Sequence, residues 1–266
     1  MDHHRKLAWA WEQIQTIDTE IEAFFRAGHL QSRVEIDRPM QQIRVIGELS
    51  EPIPQNWPLK VGDIVHNLRS ALDHLVWAIS SHDQNFASAD ESQKRRVQFP
   101  ICINYGEYFG RKPKQGQRAK RCHFIEPLAL AEIDALQPYL LGSNATSHIL
   151  AILNELSNHD KHHTIIAAPM IATMPYVRIQ GVGGPLTQLA TSDWRGPVAI
   201  RSGASITTFH FHAPIASTPI TVEPTVEGEL ALFIPRLNTE IPAIKSLKTT
   251  HDFIRDHVFT KLDHFV

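Results

Sequence analysis

VGDIVHNLRSALDHLVWAISSH, residues 61–82, is the stretch on which the reading of the fold turns. Ile64, Val65, Leu68, Leu72, Leu75, Val76 and Ile79 recur at helical spacing, which predicts an amphipathic helix with one apolar stripe. At 100° per residue, His66, Ser70, Asp73, His74 and Trp77 fall on the other side, with Asn67 and Arg69 at its edges. A tryptophan among ionisable groups is less expected on open solvent than in a cleft, so this face is the first candidate for chemistry.

Working outward, residues 5–27 repeat the pattern with Leu7, Trp11, Ile14, Ile17, Ile21 and Phe24, and Gly28 suits the helix end. Residues 33–49 alternate apolar and polar around a Pro-containing turn, which predicts a β-hairpin. Residues 127–137 and 145–163 predict two more helices, and 239–265 a closing one. Between 175 and 235 the period drops to two, with Gly and Pro breaks, as in an antiparallel sheet. Residues 83–126 form a long basic loop with one short strand or buried plug at VQFPICI. The expectation is a single α+β domain: a layer of about five helices packed on an antiparallel sheet.

Composition limits the function classes. Hydrophobic residues make up 42% of the 266, charged residues 20%, and the formal net charge is −2, so a global basic field is excluded and any polyanion surface must be local. Two cysteines, Cys102 and Cys122, cannot build a disulfide framework, which fits a reducing cytoplasm. MDHHRKLAWAWEQ lacks the apolar core of a secretory signal, and IIAAPMIATM (165–174) is too short to span a bilayer, so no membrane association is expected. No internal repeat is evident. Sixteen scattered histidines are the unusual count.

The second candidate segment is NELSNHDKHH, residues 154–163. Continuing the stripe Ile149, Leu153, Leu156 by one helical period reaches Asp160 and then His163, which aims an acid and an imidazole inward. A buried carboxylate needs a partner, and Arg69, His66, His74 or a metal are the candidates. Alternatively the helix ends near Asn158 and the rest is a polar turn favoured by the helix dipole. Two D-x-x-H pairs, Asp63/His66 and Asp160/His163, offer a metal reading with Fe, Mn or Zn, as in carboxylate-bridged di-metal bundles.

Arg69 and His74 also form R-x4-H, and here the sequence resembles the HEPN superfamily of helical ribonucleases. The resemblance implies metal-independent RNA cleavage without a cofactor, His74 moving a proton, Arg69 stabilising the phosphorane charge, and a homodimer whose two motifs meet in one cleft. Ser70 departs from the polar Asn, Asp or His common after that arginine. GD-x-x-HNLRSALDHL (62–75) with NELSNHDKHH, FPI (99–101) and LQPY (136–139) also resembles a family of uncharacterised bacterial proteins of similar length, which implies that the two motif helices share one site.

The predicted catalytic set is therefore Arg69, His74, Asp160, His66 and Asp73. Asn67, Trp77, Asn158, Lys161 and His162 are the predicted substrate contacts. Arg111, Lys112, Lys114, Arg118, Lys120 and Arg121 of RKPKQGQRAKR form a cluster that could neutralise RNA phosphates or be simply solvated. TFHFH places His210 and His212 on one side of a strand, most simply its wet face. A non-catalytic interaction protein, whose polar groups only fix helix packing, is the third reading.

Overall fold

The structure is a computed structural model and describes residues 2–109, 122, 124–171, 176–180, 190–200, 205–211 and 221–266. It is mixed helix and antiparallel sheet, as the periodicities predict. Helix α1 (Asp2–Arg26) buries Leu7, Ala10, Ile14, Ile17 and Ile21, and Gly28, at φ +82°, ends it in the left-handed conformation that glycine adopts at no steric cost. The hairpin β1 (Leu30–Asp37) and β2 (Gln42–Leu49) turns through residues 38–41, where Met40 N donates to Asp37 Oδ1 at 3.0 Å.

Helix α2 (Trp57–Ser80) starts four residues before the prediction, because Pro58 in its first turn needs no backbone donor. It is the axis of the core: Val61, Ile64, Val65, Leu68, Ala71, Leu72, Leu75 and Val76 are inaccessible to solvent. Around it one cluster of buried apolar side chains joins α1, the 97–103 segment and four later elements. These are α6 (Pro127–Ala135), α7 (Ile149–Asp160), β9 (Gly228–Ile234) and α8 (Ala243–Phe253). A π-helical turn, Ile254–Phe259, α9 (Thr260–Leu262) and a 3-10 turn, Asp263–Phe265, extend α8.

The expected antiparallel sheet is divided into three pieces. One has the order β1-β2-β7-β5, with β5 (Ala190–Ser192) and β7 (Ser205–Phe211). The second is β10-β9-β3-β6, with β3 (Ala167–Ile171), β6 (Val198–Ala199) and β10 (Thr239–Pro242). The third pairs β4 (Tyr176–Gln180) with β8 (Thr221–Thr225).

Several boundaries differ from the sequence reading for physical reasons. The closing helix begins at Ala243 and not 239, because Asn238 at φ +48° reverses the chain and lays Thr239–Pro242 along β9. The helix expected from 145 begins at Ile149, where His148 Nδ1 accepts from Leu150 N at 3.1 Å; Ala145 belongs to a preceding 3-10 segment, Pro138–Ser147. It also stops at Asp160, three residues short of His163. Helix α6 ends at Ala135. The described part of the 83–126 loop is not structureless: it contains short helices α3 (Gln84–Ser88), α4 (Glu91–Lys94) and α5 (Tyr105–Phe109). VQFPICI is the plug and not a strand, with Val97, Phe99 and Ile101 buried.

Candidate site in the cleft between α2 and α7

Arg69 is the first side chain to place. The apolar stripe of α2 carries it inward until only 7% of the residue is exposed. Its guanidinium donates to the Phe99 carbonyl at 2.6 Å and lies 3.0 Å from Asp73 Oδ1, one turn further along. That same carboxylate oxygen accepts the Phe99 N–H at 2.9 Å. One residue of the plug thus has both backbone groups satisfied by an i,i+4 ion pair, where a strand would have used a neighbouring strand. Gln137, 1% exposed, repeats the arrangement from the other side: its Oε1 accepts from Cys102 N at 3.1 Å and its Nε2 donates to the Pro100 carbonyl at 2.9 Å.

Pinned this way, the plug forms one wall of a cavity of about 460 Å³. Arg69 and Asp73 line it from α2, and Asn154, Asn158 and Lys161 from α7 and its cap. Gln98, Glu107 and Tyr108 stand opposite, and Arg236 follows β9. Asn154, Asn158 and Lys161 are spaced i, i+4, i+7, so one face of α7 supplies all three. Arg236 is steered by Glu155, 3.2 Å from its Nε. The two helices run antiparallel here: Asn154 shares the cavity with Arg69, whereas Asp160 meets Gly62 seven residues earlier on α2.

Gly62 is required for that second contact. A Cβ at this position would overlap the Asp160 carboxylate, whose Cγ would stand 3.0 Å away. Burial against α2, and secondly the nearby Asp63 carboxylate, hold Asp160 above the ordinary aspartate range, while His66 and His159 pull it back. Asp160 is half-buried, and His66, one of the partners considered for it, acts on it through its charge. His66 is itself exposed, its Nε2 3.4 Å from Ser70 Oγ.

Four predicted site residues, Arg69, Asp73, Asn158 and Lys161, are brought together at the cavity, and Asp160 and His66 lie beyond its end near Gly62. The others are not gathered there. His74 is exposed on α2, twelve residues beyond Gly62, which is about 18 Å along the axis and about 120° around it, so it shares no centre with Asp160 within one chain. Asn67 turns toward α1, donating to Gln13 Oε1 at 2.9 Å and accepting from Lys6 Nζ at 3.1 Å. Trp77 packs its edge on Phe86 of α3, centroids 5.0 Å apart, and remains 44% exposed.

His162 and His163 are exposed beyond the end of α7; the His163 ring lies 5.3 Å from that of His159. Asp63, His66, Asp160 and His163 do not converge to ligand distance; among the described residues a different cluster does so. Arg111, Lys112, Lys114, Arg118, Lys120, Arg121 and His212 lie outside the described residues. His210 is half-buried on β7, opposite Gln42.

Asn154, Gln98, Glu107, Tyr108, Arg236 and Gln137 were not singled out by sequence reasoning. For Asn154 the signal was available in its i,i+4 spacing to Asn158. Arg236 sits in a Pro-Arg-Leu turn with no local pattern to distinguish it.

Comparison with family models, with curated proteins and with solved structures gives no match to this chain. Among the described residues no helix is long and apolar enough to cross a membrane.

Proposed function

We propose that the α2–α7 cleft is a ribonucleotide-binding site, with single-stranded RNA supplying the ligand. The observation that carries this reading is the convergence of Arg69, Lys161 and Arg236 with the amides of Asn154 and Asn158 on one 460 Å³ cavity. That volume lies within the range that encloses small organic ligands. Guanidinium and ammonium groups recognise phosphate, and side-chain amides pair with base and ribose edges. Tyr105, on the same short helix as the lining residues Glu107 and Tyr108, is 54% exposed, and an exposed aromatic face near basic side chains is how single strands are stacked.

Within this reading the chemical roles shift from those the R-x4-H spacing implied. Arg69 is a fixed member of the cavity wall, and Lys161 and Arg236 meet the phosphate. Asp73 and Glu107 line the cavity itself, and Asp160 and His66 beyond its end can also hold or move a proton, Asp160 with its affinity for protons raised by burial. His74 takes no part in a single-chain cleft; its role in cleavage would require a second copy of the chain to bring it to a bound strand.

The test is fluorescence anisotropy with a labelled oligoribonucleotide, together with a cleavage assay in EDTA. Lys161→Ala and Arg236→Ala should each weaken binding about tenfold or more, with little change in melting temperature. Unchanged binding in both variants refutes the assignment of the cleft.

A second reading is favoured by a specific observation: Arg69 and Asp73 are already engaged by the Phe99 backbone. In this reading the network only fixes the plug to α2 and the protein is an interaction module. Loss of fold stability in Arg69→Ala, with no nucleotide binding by the unmodified chain, would select it.

A further inference from the structure

A different cluster lies at the junction of α1 with the 3-10 turn Asp263–Phe265, and nothing in the proposed function uses it. His3 and His4 are adjacent in the first turn of α1, and both reach the same carboxylate: His3 Nε2 lies 3.2 Å from Asp263 Oδ1, and His4 Nε2 3.0 Å from Asp263 Oδ2. One candidate ligand atom from each of the three residues lies within 4.8 Å of the others, and among the described residues no other group of three or more His, Cys, Asp or Glu does so.

Four features make this more than a hydrogen-bonded triad. Donors arranged tetrahedrally about a zinc ion at about 2.0–2.1 Å stand about 3.4 Å from one another, close to both measured separations. Two imidazoles and one carboxylate are the donor set of borderline divalent cations, whereas calcium and magnesium take oxygen. Phe259 fixes both rings edge-on, with centroids 5.1 Å from His3 and 5.0 Å from His4, so little side-chain freedom remains to be lost on binding. Finally, access is built in: His3 is buried at 1%, but the His4 and Asp263 side chains are 51% and 35% exposed, leaving an entry path and room for water as a further ligand.

We propose that His3, His4 and Asp263 form a site for a zinc-class divalent cation, which clamps the first turn of α1 to the Asp263–Phe265 turn. The connected residues His3 and Asp263 are 260 positions apart, so the cation ties together two elements remote in sequence. Each imidazole presents a lone pair from Nε2, with its proton on Nδ1, and the His3–Asp263 hydrogen bond and the His4–Asp263 charge contact give way to metal–ligand bonds. Because the folded chain assembles the three donors and an unfolded one does not, binding stabilises the fold in proportion to the logarithm of free metal.

The experiment is calorimetric titration of the full chain with zinc chloride, visible absorption of the cobalt-substituted protein, and melting temperature against free zinc. The expected result is one tight equivalent, cobalt bands of low-symmetry four- or five-coordination, and a melting temperature that rises with zinc. Asp263→Asn and His4→Gln, the latter at a half-exposed position that tolerates change, should each weaken the equivalent a hundredfold or more and abolish the thermal shift. The proposal is overturned if the unmodified chain takes up no equivalent, or if both variants retain it unchanged, which would assign the uptake to histidines elsewhere. Nucleotide binding in the α2–α7 cleft is independent of this result.

Discussion

Arg69 and His74 stand five residues apart on α2 and occupy two unlike environments. Arg69 is 7% exposed, bonded to Phe99 and Asp73, and forms part of a cavity wall. His74 is exposed to solvent. Five residues on a helix turn a side chain by about 140° and advance it by about 7.5 Å, so the spacing that makes a motif in sequence separates its two members in one chain. A site forms where a second segment closes on the helix. On the Arg69 side, the 97–103 plug and α7 both do so.

The largest test of this contrast is Arg69→Ala. Removing the guanidinium takes the ion-pair partner from Asp73 and the side-chain donor from the Phe99 carbonyl, and the loss should be about 3 kcal/mol in chemical denaturation. A loss below about 0.5 kcal/mol would place Arg69 with ordinary surface residues and erase the distinction.

Next in size is the contact between Gly62 and Asp160. Glycine to alanine at an unconstrained helix position gains about 1 kcal/mol. Here the new methyl group must displace the Asp160 carboxylate. Because that carboxylate is a short, half-buried group held in an unfavourable place, it yields. Gly62→Ala should stay within about 1 kcal/mol of the unmodified protein, and carboxyl chemical shifts should show Asp160 titrating closer to its ordinary value.

Asp160→Asn should have a smaller effect, with a defined pH dependence. The folded state raises the proton affinity of Asp160 above the ordinary 3.8, so the native protein holds this proton more tightly than the unfolded chain does. Its contribution to stability is complete below 3.8 and is lost as pH rises through the folded value. Asn lacks this loss. The variant should match the unmodified protein near pH 3 and be more stable at pH 7, by under about 1 kcal/mol. A variant less stable at pH 7 than the unmodified chain would contradict the assigned burial of the charge. The smallest effect belongs to His74→Ala, which should fall within about 0.5 kcal/mol by thermal denaturation.

How much was legible follows from the same geometry. Periodicity located α1, α2, α7 and the β1–β2 hairpin because each buries one continuous face, and burial is what a hydrophobic stripe records. The direction of Asp160 was legible for that reason too, as it continues the stripe of α7. The plug was harder to read: its ladder partners are side chains, Asp73, Arg69 and Gln137, and long-range side-chain bonding leaves no local period. Arg236 and the pairing of His3 and His4 with Asp263 join positions tens to hundreds of residues apart, and such meetings depend on tertiary packing alone. The R-x4-H spacing does not by itself say which residues of a helix another element will cover, and within one chain only Arg69 of the pair lines the cavity.

The most direct test of the central claim is the affinity of a labelled oligoribonucleotide for the unmodified protein, Lys161→Ala and His74→Ala, measured side by side at fixed salt. Weakening of about tenfold in Lys161→Ala, with His74→Ala unchanged, is the result that places the ligand between α2 and α7. Equal affinity in all three proteins, or a loss confined to His74→Ala, would contradict it.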